Sequence, residues 1–323
     1  MPRALITGIS GQDGSYLSEF LLSKGYEIHG IVRRKAIEDP RHGLWRFSSE
    51  MIDNITLHIG SLDSYPSLYD CVSKAKPDEI YHLAACSFVS YSMEEEFSTL
   101  DINLTGTHHL LSATKANAPD CRFYFAGSSE MFGDARECPQ NENSSFHPRS
   151  VYGISKLAGF HLVRNYRENH ALKACTGILF NHESPRRGFE FVTRKITSQA
   201  ARIKLGLADS LELGNLDAER DWGHSRDYVK AMWLMLQKEE LDDYVISTGI
   251  SHSVRCYCEK AFAHLGLDYR DYVKTKENLF RASETTPLRG DSSKAAKELG
   301  WKPEISFDQM IAEMVDAELA DLQ

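Results

Sequence analysis

The sequence predicts an α/β protein in which a doubly wound parallel sheet lies between two layers of helices. Two observations predict this fold. Short apolar strands alternate with helical patterns through the first half, and the first strand runs into a glycine-rich turn. Such alternation is typical of βαβ units, which place ligands at the carboxyl ends of the strands. The 323 residues are enough for one large or two small domains.

The first βα unit predicts a dinucleotide site. An apolar strand over 3–7 is followed by a turn over 8–14 and then by apolar residues at helical spacing over 15–22. Glycines in such a turn allow a tight bend, close approach of a pyrophosphate and close helix packing, and the helix N-terminus faces the phosphates. The fold is therefore Rossmann-type. The predicted cofactor ligands in the turn are Gly8, Ser10, Gly11, Gln12, Asp13 and Gly14.

The remaining elements suggest two domains. Further strands are predicted at 27–32, 55–59, 79–84 and 122–126, with helical patterns between most of them. After about residue 180 the alternation is lost, and helices are predicted near 192–206, 225–237, 254–265 and 306–321. We predict an NADP-binding domain over 1–180, to which a segment near 215–250 returns, and a smaller α/β domain over 181–323 that mainly binds substrate.

Composition excludes several classes of function. The net charge is −9. A nucleic-acid binder would usually carry a patch or stripe of basic residues, so this function is disfavoured. Seven irregularly spaced cysteines favour a reducing, cytoplasmic setting, and no metal site is predicted. No apolar run reaches the ~18 residues of a membrane span. The first strand begins too early to leave room for a signal peptide.

Two motifs bear on the cofactor. Arg33 and Arg34 follow the second strand, where an arginine favours a 2′-phosphate and therefore NADP rather than NAD. The alternative interpretation is that Arg33 and Arg34 are two solvent-exposed loop residues that bind no cofactor. Leu83, Ala84 and Ala85 lie at the end of the fourth strand. The small alanine side chains would let a nucleotide lie against this end of the strand. Tight packing of a helix on the sheet explains them equally well.

A third motif predicts proton transfer. The fifth strand is followed by Ser128 and Glu130, and Tyr152 and Lys156 lie four residues apart, on one face of a predicted helix. A lysine ammonium beside the phenol would lower the pKa of the tyrosine, which could then act as a base near neutral pH.

These motifs resemble the extended short-chain dehydrogenase/reductase family. Within it the chain is similar, over nearly its whole length, to the GDP-mannose 4,6-dehydratases. The stretch over 180–188, Phe-Asn-His-Glu-Ser-Pro-Arg-Arg-Gly, is far more specific than the glycine turn. The other stretches that carry the resemblance are 7–17, 129–133, 147–152, 191–196 and 214–223.

The resemblance implies a dehydration with internal hydride recycling. Tyr152 takes the proton from the sugar O4 while the C4 hydride passes to NADP, and Ser128 hydrogen-bonds the same oxygen. Glu130 then removes the C5 hydrogen, and water leaves from C6. The hydride then returns to C6 and a proton to C5, so GDP-D-mannose becomes GDP-4-keto-6-deoxy-D-mannose. An epimerase or ketoreductase of this group needs no carboxylate at Glu130, which is therefore the discriminating residue.

The resemblance also implies binding residues. It implies cofactor contacts from Ser61, Leu62, Leu83, Ala84, Ala85, Ser87, Tyr152, Lys156, His182 and Arg187. It implies substrate contacts from Ser87, Ser128, Glu130, Asn181, Val192, Lys195, Gly214, Arg220, Arg281 and Glu284.

The chain departs from the family pattern at a few positions. Ser128 stands where threonine is usual, Ser61 where an acidic residue is usual, and Cys86 where glutamine is usual. Residues 35–38 replace a serine run in a loop that reaches a neighbouring subunit in the family. The resemblance implies a homodimer or a homotetramer, and this replacement leaves the choice between the two open.

Alternatives to this function remain open at this point. They are a GDP-manno-heptose 4,6-dehydratase with the same motifs, a related nucleotide-sugar epimerase or reductase, and a non-catalytic nucleotide sensor. A sensor would be expected to lose Tyr152, Lys156 or Glu130, and all three are present.

Overall fold

The structure is a computed structural model that describes residues 1–39, 43–276 and 288–323. The strands, in chain order, are β1 Arg3–Thr7, β2 Glu27–Val32, β3 Ile55–Ile59, β4 Glu79–His82, β5 Arg122–Ser128, β6 Lys173–Leu179, β7 Asn181–Glu183, β8 Leu211–Leu213, β9 Glu219–His224, β10 Tyr244–Ile246, β11 Ser251–Ser253 and β12 Val273–Thr275. The helices are α1 Gln12–Ser23, α2 Arg34–Glu38, α3 Ser49–Asp53, α4 Tyr65–Ala75, α5 Tyr91–Glu94, α6 Glu96–Leu100, α7 Gly106–Asn117, α8 Val151–His170, α9 Val192–Lys204, α10 Ser225–Leu236, α11 Val254–His264, α12 Ser293–Leu299 and α13 Phe307–Leu322.

The main sheet has seven strands in the order β10-β6-β5-β4-β1-β2-β3. Every neighbouring pair is parallel, and the register places Ala4 beside Ile28 on one side and Glu79 on the other. Its central strands are apolar and buried because helices cover both faces of the sheet. The predicted doubly wound α/β fold is confirmed.

Two strand ends differ from the sequence prediction, and both differences shape the cleft. β5 continues two residues beyond the predicted end, so Ser128 is its last residue. β4 ends at His82, two residues earlier than predicted. There the Thr7 hydroxyl accepts hydrogen bonds from the backbone N–H groups of Leu83 and Ala84, at 3.2 and 3.1 Å. The Leu83 N–H also donates to the Thr7 carbonyl at 3.3 Å, so the backbone and side chain of Thr7 together hold the chain where β4 ends.

The second half builds two small sheets, one from β11, β9 and β7 and the other from β12 and β8. Helices α9, α11 and α13 pack together and enclose an apolar core around Trp222 and Tyr257. The chain also returns to the first core. α10 packs on α1, and β10 pairs with β6. Trp301, just after α12, donates an indole hydrogen bond to the Asp227 carbonyl at 2.8 Å.

Candidate active site

A cleft of about 1160 Å³ opens at the carboxyl ends of the main-sheet strands and extends to β7 and α9. Its floor is the glycine-rich turn. Gly8 has a left-handed φ of +70°, and a Cβ there would lie 2.8 Å from the Ala84 backbone nitrogen. At Gly14 a Cβ would lie 2.4 Å from the Gly8 carbonyl oxygen. Only glycine fits either position, because the turn packs against the backbone that follows β4 and the first turn of α1 packs against the Gly8 carbonyl.

His182, in the second half of the chain, is hydrogen-bonded to the glycine-rich turn. Its Nδ1 lies 2.8 Å from the Phe180 carbonyl oxygen, and its Nε2 lies 2.8 Å from an Asp13 carboxylate oxygen. Both partners accept hydrogen bonds, so the ring donates from both nitrogens and is an imidazolium. Burial alone would lower the pKa of His182, but attraction to Asp13 and the two hydrogen bonds raise it. Asp13 also accepts a hydrogen bond from Ser225 at 3.1 Å.

The candidate catalytic groups meet where β5 ends. Ser128 accepts a hydrogen bond from the Glu130 backbone N–H at 3.2 Å, which fixes the short turn that carries Glu130. The first turn of α8 packs directly on this turn: a Cβ at Gly153 would lie 2.5 Å from the Glu130 carbonyl oxygen. Tyr152, in that same helical turn, hydrogen-bonds Ser128. A hydroxyl, a phenol and a carboxylate therefore converge on one side of the cleft.

The expected effect of Lys156 on Tyr152 differs from what the structure shows. Burial raises the pKa of Tyr152 to about 12, with Ser128 lowering it and Glu130 raising it. The Lys156 ammonium donates instead to the Ala126 carbonyl at 2.8 Å and lies 5.9 Å from the centre of the Tyr152 ring. Burial lowers the pKa of Lys156 to about 8. The phenol therefore holds its proton when no ligand is bound.

The cleft brings together nearly all of the predicted site residues that the structure describes. The predicted cofactor residues that line it are Gly8, Ser10, Gly11, Gln12, Asp13, Gly14, Arg33, Ser61, Leu62, Leu83, Ala84, Ala85, Ser87, Tyr152, Lys156, His182 and Arg187. The predicted substrate residues that line it are Ser87, Ser128, Glu130, Asn181, Val192, Lys195, Gly214 and Arg220. Arg34 does not line it; this residue begins α2 and is exposed. Arg281 and Glu284 lie outside the described residues.

Phe191 and Arg46 are among the residues of the cleft wall that sequence reasoning missed. Phe191 lines the cleft, and the Arg187 guanidinium lies 3.5 Å from its ring centre. Arg46 also lines the cleft, although it belongs to the loop between α2 and α3. Its only local signal is the Trp45-Arg46 dipeptide, an aromatic residue beside a cation, and that pair occurs on many surfaces.

Two further findings concern metal clusters and membrane spans. Across residues 1–39, 43–276 and 288–323, no group of three or more His, Cys, Asp or Glu side chains is arranged to hold a metal ion. Within the same ranges, no helix is long and apolar enough to cross a membrane.

Comparisons with known proteins agree with this geometry. The family model described as GDP-mannose 4,6 dehydratase matches residues 5–314. GDP-mannose 4,6 dehydratase 2 of Arabidopsis thaliana is 48% identical over 332 residues, covering 98% of this chain and 86% of the relative. GDP-mannose 4,6-dehydratase of Vibrio cholerae serotype O1 is 43% identical over 351 residues, covering 99% of this chain and 94% of the relative.

The solved structures include one described as RMD from Pseudomonas aeruginosa complexed with NADPH. It is 25% identical, with a TM-score of 0.82, and the match covers 99% of this chain and 100% of that one. The resemblance drawn from the motifs is confirmed: the chain belongs to the GDP-mannose 4,6-dehydratase family.

Proposed function

We propose that this protein converts GDP-D-mannose to GDP-4-keto-6-deoxy-D-mannose, with NADP as a resident cofactor. The observation that carries the proposal is Glu130, a carboxylate in the same cleft as Ser128, Tyr152 and Lys156. A dehydratase needs a base for the C5 hydrogen in addition to the groups that handle O4. Membership of the family supports the same reaction.

The cleft fits a nicotinamide dinucleotide. The turn at Gly8 to Gly14 lines the cleft, and α1 begins there with free N–H groups that can face a pyrophosphate. What NADP supplies when bound is reversible hydride transfer. Arg33, at the end of β2, supports NADP over NAD because its cation suits a 2′-phosphate.

The protein's own groups handle the protons. We propose that Tyr152 exchanges a proton with the sugar O4 and that Ser128 orients that oxygen. Lys156 contributes a buried positive charge close to the phenol. Glu130 then removes the C5 proton, which the new C4 ketone makes acidic, and the C6 hydroxyl leaves as water. A proton returns to C5 when C6 is reduced, which completes the 6-deoxy sugar.

The far end of the cleft suits a nucleoside diphosphate. Lys195 on α9 and Arg220 on β9 both line it and supply cations for phosphate oxygens. Asn181, Val192 and Gly214 complete the substrate wall in this proposal. Arg281 and Glu284 stay predictions from the sequence. We also propose a cytoplasmic homodimer or homotetramer without nucleic-acid or membrane partners.

The test is incubation of the purified protein with GDP-mannose and no added reductant. A 4-keto-6-deoxy sugar nucleotide should accumulate with no net change in the reduced cofactor. An inert mixture with full cofactor occupancy would contradict the GDP-mannose assignment. GDP-manno-heptose added as a competitor separates the heptose alternative, because the preferred sugar is consumed first. That alternative has one structural point of interest, since Cys86 lines the cleft beside Ser87.

A further inference from the structure

Arg46 is a half-buried cation in the cleft wall that lacks a carboxylate partner among the described residues. Its Nε donates to the Arg186 carbonyl at 2.7 Å, and its Nη1 donates to the Ser10 carbonyl at 3.0 Å. The three arginines around it are each paired: Arg186 with Glu19, Arg187 with Glu183 and Arg194 with Glu318. Among these four arginines, Arg46 is the one whose acceptors within the described residues are carbonyl oxygens without a carboxylate ion pair.

The surroundings of Arg46 favour an added anion. Burial, followed by the charge of Arg194, lowers the pKa of Arg46 to about 10, so the group is still a cation at neutral pH. Glu190 is the one carboxylate among the four charged groups that act on it most strongly. A guanidinium in a partly desolvated, net positive setting gains from an anionic ligand.

The position of Arg46 indicates which anion would bind beside it. Its hydrogen bond to the Ser10 carbonyl places it at the glycine-rich turn, and Arg33 at the end of β2 lines the same cleft. In a doubly wound sheet the end of the second strand faces the ribose of the adenosine, where NADP carries its 2′-phosphate. The Trp45 ring, 4.2 Å from the guanidinium carbon, and the two carbonyls hold the Arg46 fork in one orientation.

We propose that Arg46 binds the 2′-phosphate of NADP together with Arg33, and that it helps to determine the preference for NADP over NAD. This inference rests on the proposed function, since it assumes NADP in this cleft. It adds a residue to the cofactor site from a loop that no motif in the sequence identifies.

The test compares two small ligands, adenosine 2′,5′-bisphosphate and 5′-AMP, on the full chain freed of bound nucleotide. Isothermal titration is carried out on the wild type, Arg46→Gln, Arg33→Gln and Arg164→Gln. Arg164 on α8 is the matched control because it is exposed, pairs with Glu168 on the same helix and does not line the cleft. Arg46→Gln should weaken the bisphosphate by about tenfold, the effect of one charge-assisted hydrogen bond, and leave 5′-AMP nearly unchanged. Arg164→Gln should change neither.

The outcomes separate this inference from the proposed function. Equal losses for both ligands in Arg46→Gln would mean that Arg46 only braces the turn, and would overturn the inference. A wild-type preference for the bisphosphate that disappears in Arg33→Gln but persists in Arg46→Gln would overturn it while leaving NADP in place. A wild type that binds both ligands equally would overturn the NADP assignment and the inference together.

Discussion

Burial shifts the pKa values of the candidate catalytic side chains before any ligand binds. Tyr152 keeps its proton because burial raises its pKa, and Lys156 loses part of its preference for the charged form for the same reason. The charge of Lys156 therefore affects the pKa of Tyr152 less than their four-residue spacing predicted. The phenol in this state can donate to a substrate oxygen, and its role as a base depends on what binds beside it.

Replacing Glu130 by Gln should separate the two halves of the reaction. The amide keeps the shape of the side chain but cannot accept the C5 proton. Oxidation at C4 should still occur and should be visible as reduced-cofactor absorbance, while release of dehydrated product falls by at least about 10²-fold. Glu94→Gln is the matched control, because Glu94 also lines the cleft but is outside the proposed catalytic group. Elimination at the wild-type rate in Glu130→Gln would show that Glu130 is not the base.

The Asp13–His182 pair should make stability depend on pH in two directions. The raised pKa of His182 gives a contribution that is complete below 6.5 and is lost as the pH rises through the folded value. The lowered pKa of Asp13 gives a contribution that is complete above 3.8 and is lost as the pH falls through its folded value. Arg187 opposes the charge on His182 and favours the charge on Asp13, and Tyr228 stacks on the imidazole.

Asp13→Asn should therefore lower the free energy of unfolding by about 3 kcal/mol near pH 6, and by less at alkaline pH. Urea unfolding over a pH series measures this, and histidine NMR on the same samples reports the charge on His182. Asp70→Asn, which breaks an exposed pair with Lys74, should have little effect at any pH. A pH-independent difference between wild type and Asp13→Asn, or a neutral His182 at pH 7, would contradict the ionic pair.

At the scale of elements, the start of α13 shows how a local signal stabilises the second half. Ser306 accepts a hydrogen bond from the Gln309 N–H at 3.3 Å, and the Gln309 side chain accepts one from the Ser306 N–H at 2.9 Å. These reciprocal bonds form a capping box. The helix that follows packs against α9 and α11, so its first turn supports the whole small core.

Ser306→Ala should lower the free energy of unfolding by about 1 kcal/mol, because it leaves one N–H group at the helix start without a partner. Chemical denaturation measures the change, and the turnover rate should be unaltered since α13 lies outside the cleft. Ser306→Asp keeps an acceptor at the cap and should retain most of the stability. If Ser306→Asp is as unstable as Ser306→Ala, the cap is not the source of the effect.

The sequence was most informative where the determinants are local. The strands β1 to β5 follow from short apolar runs, and the glycine turn follows from residues within one βα unit. The Asp13–His182 bond joins positions 169 residues apart, and Trp301 reaches across 74 residues to Asp227. Arg46 is placed by carbonyls from two distant loops. No periodicity or spacing encodes such contacts, because they arise only when the packed elements meet.

At the scale of the whole molecule, one cleft is built from both halves of the chain, so a ligand that fills it should stabilise the entire fold. NADP at 100 times its dissociation constant should add about 2.7 kcal/mol to the free energy of unfolding. Thermal unfolding of nucleotide-free protein with equal concentrations of NADP or NAD measures this, and NADP should give the larger increase in melting temperature. GDP serves as a control for the other end of the cleft. Equal shifts with NADP and NAD would contradict the cofactor preference.

The return of the chain to its first core has a consequence for synthesis on the ribosome. The edge strand β10 and the indole of Trp301 complete the packing around α10 and the main sheet, and the Asp227 carboxylate accepts hydrogen bonds from the Glu304 and Ile305 N–H groups. A nascent chain that has delivered only β1 to β6 still lacks these partners. The dinucleotide-binding half therefore reaches its final stability only after residues 301–305 have left the exit tunnel, and until then apolar surface around α10 stays exposed.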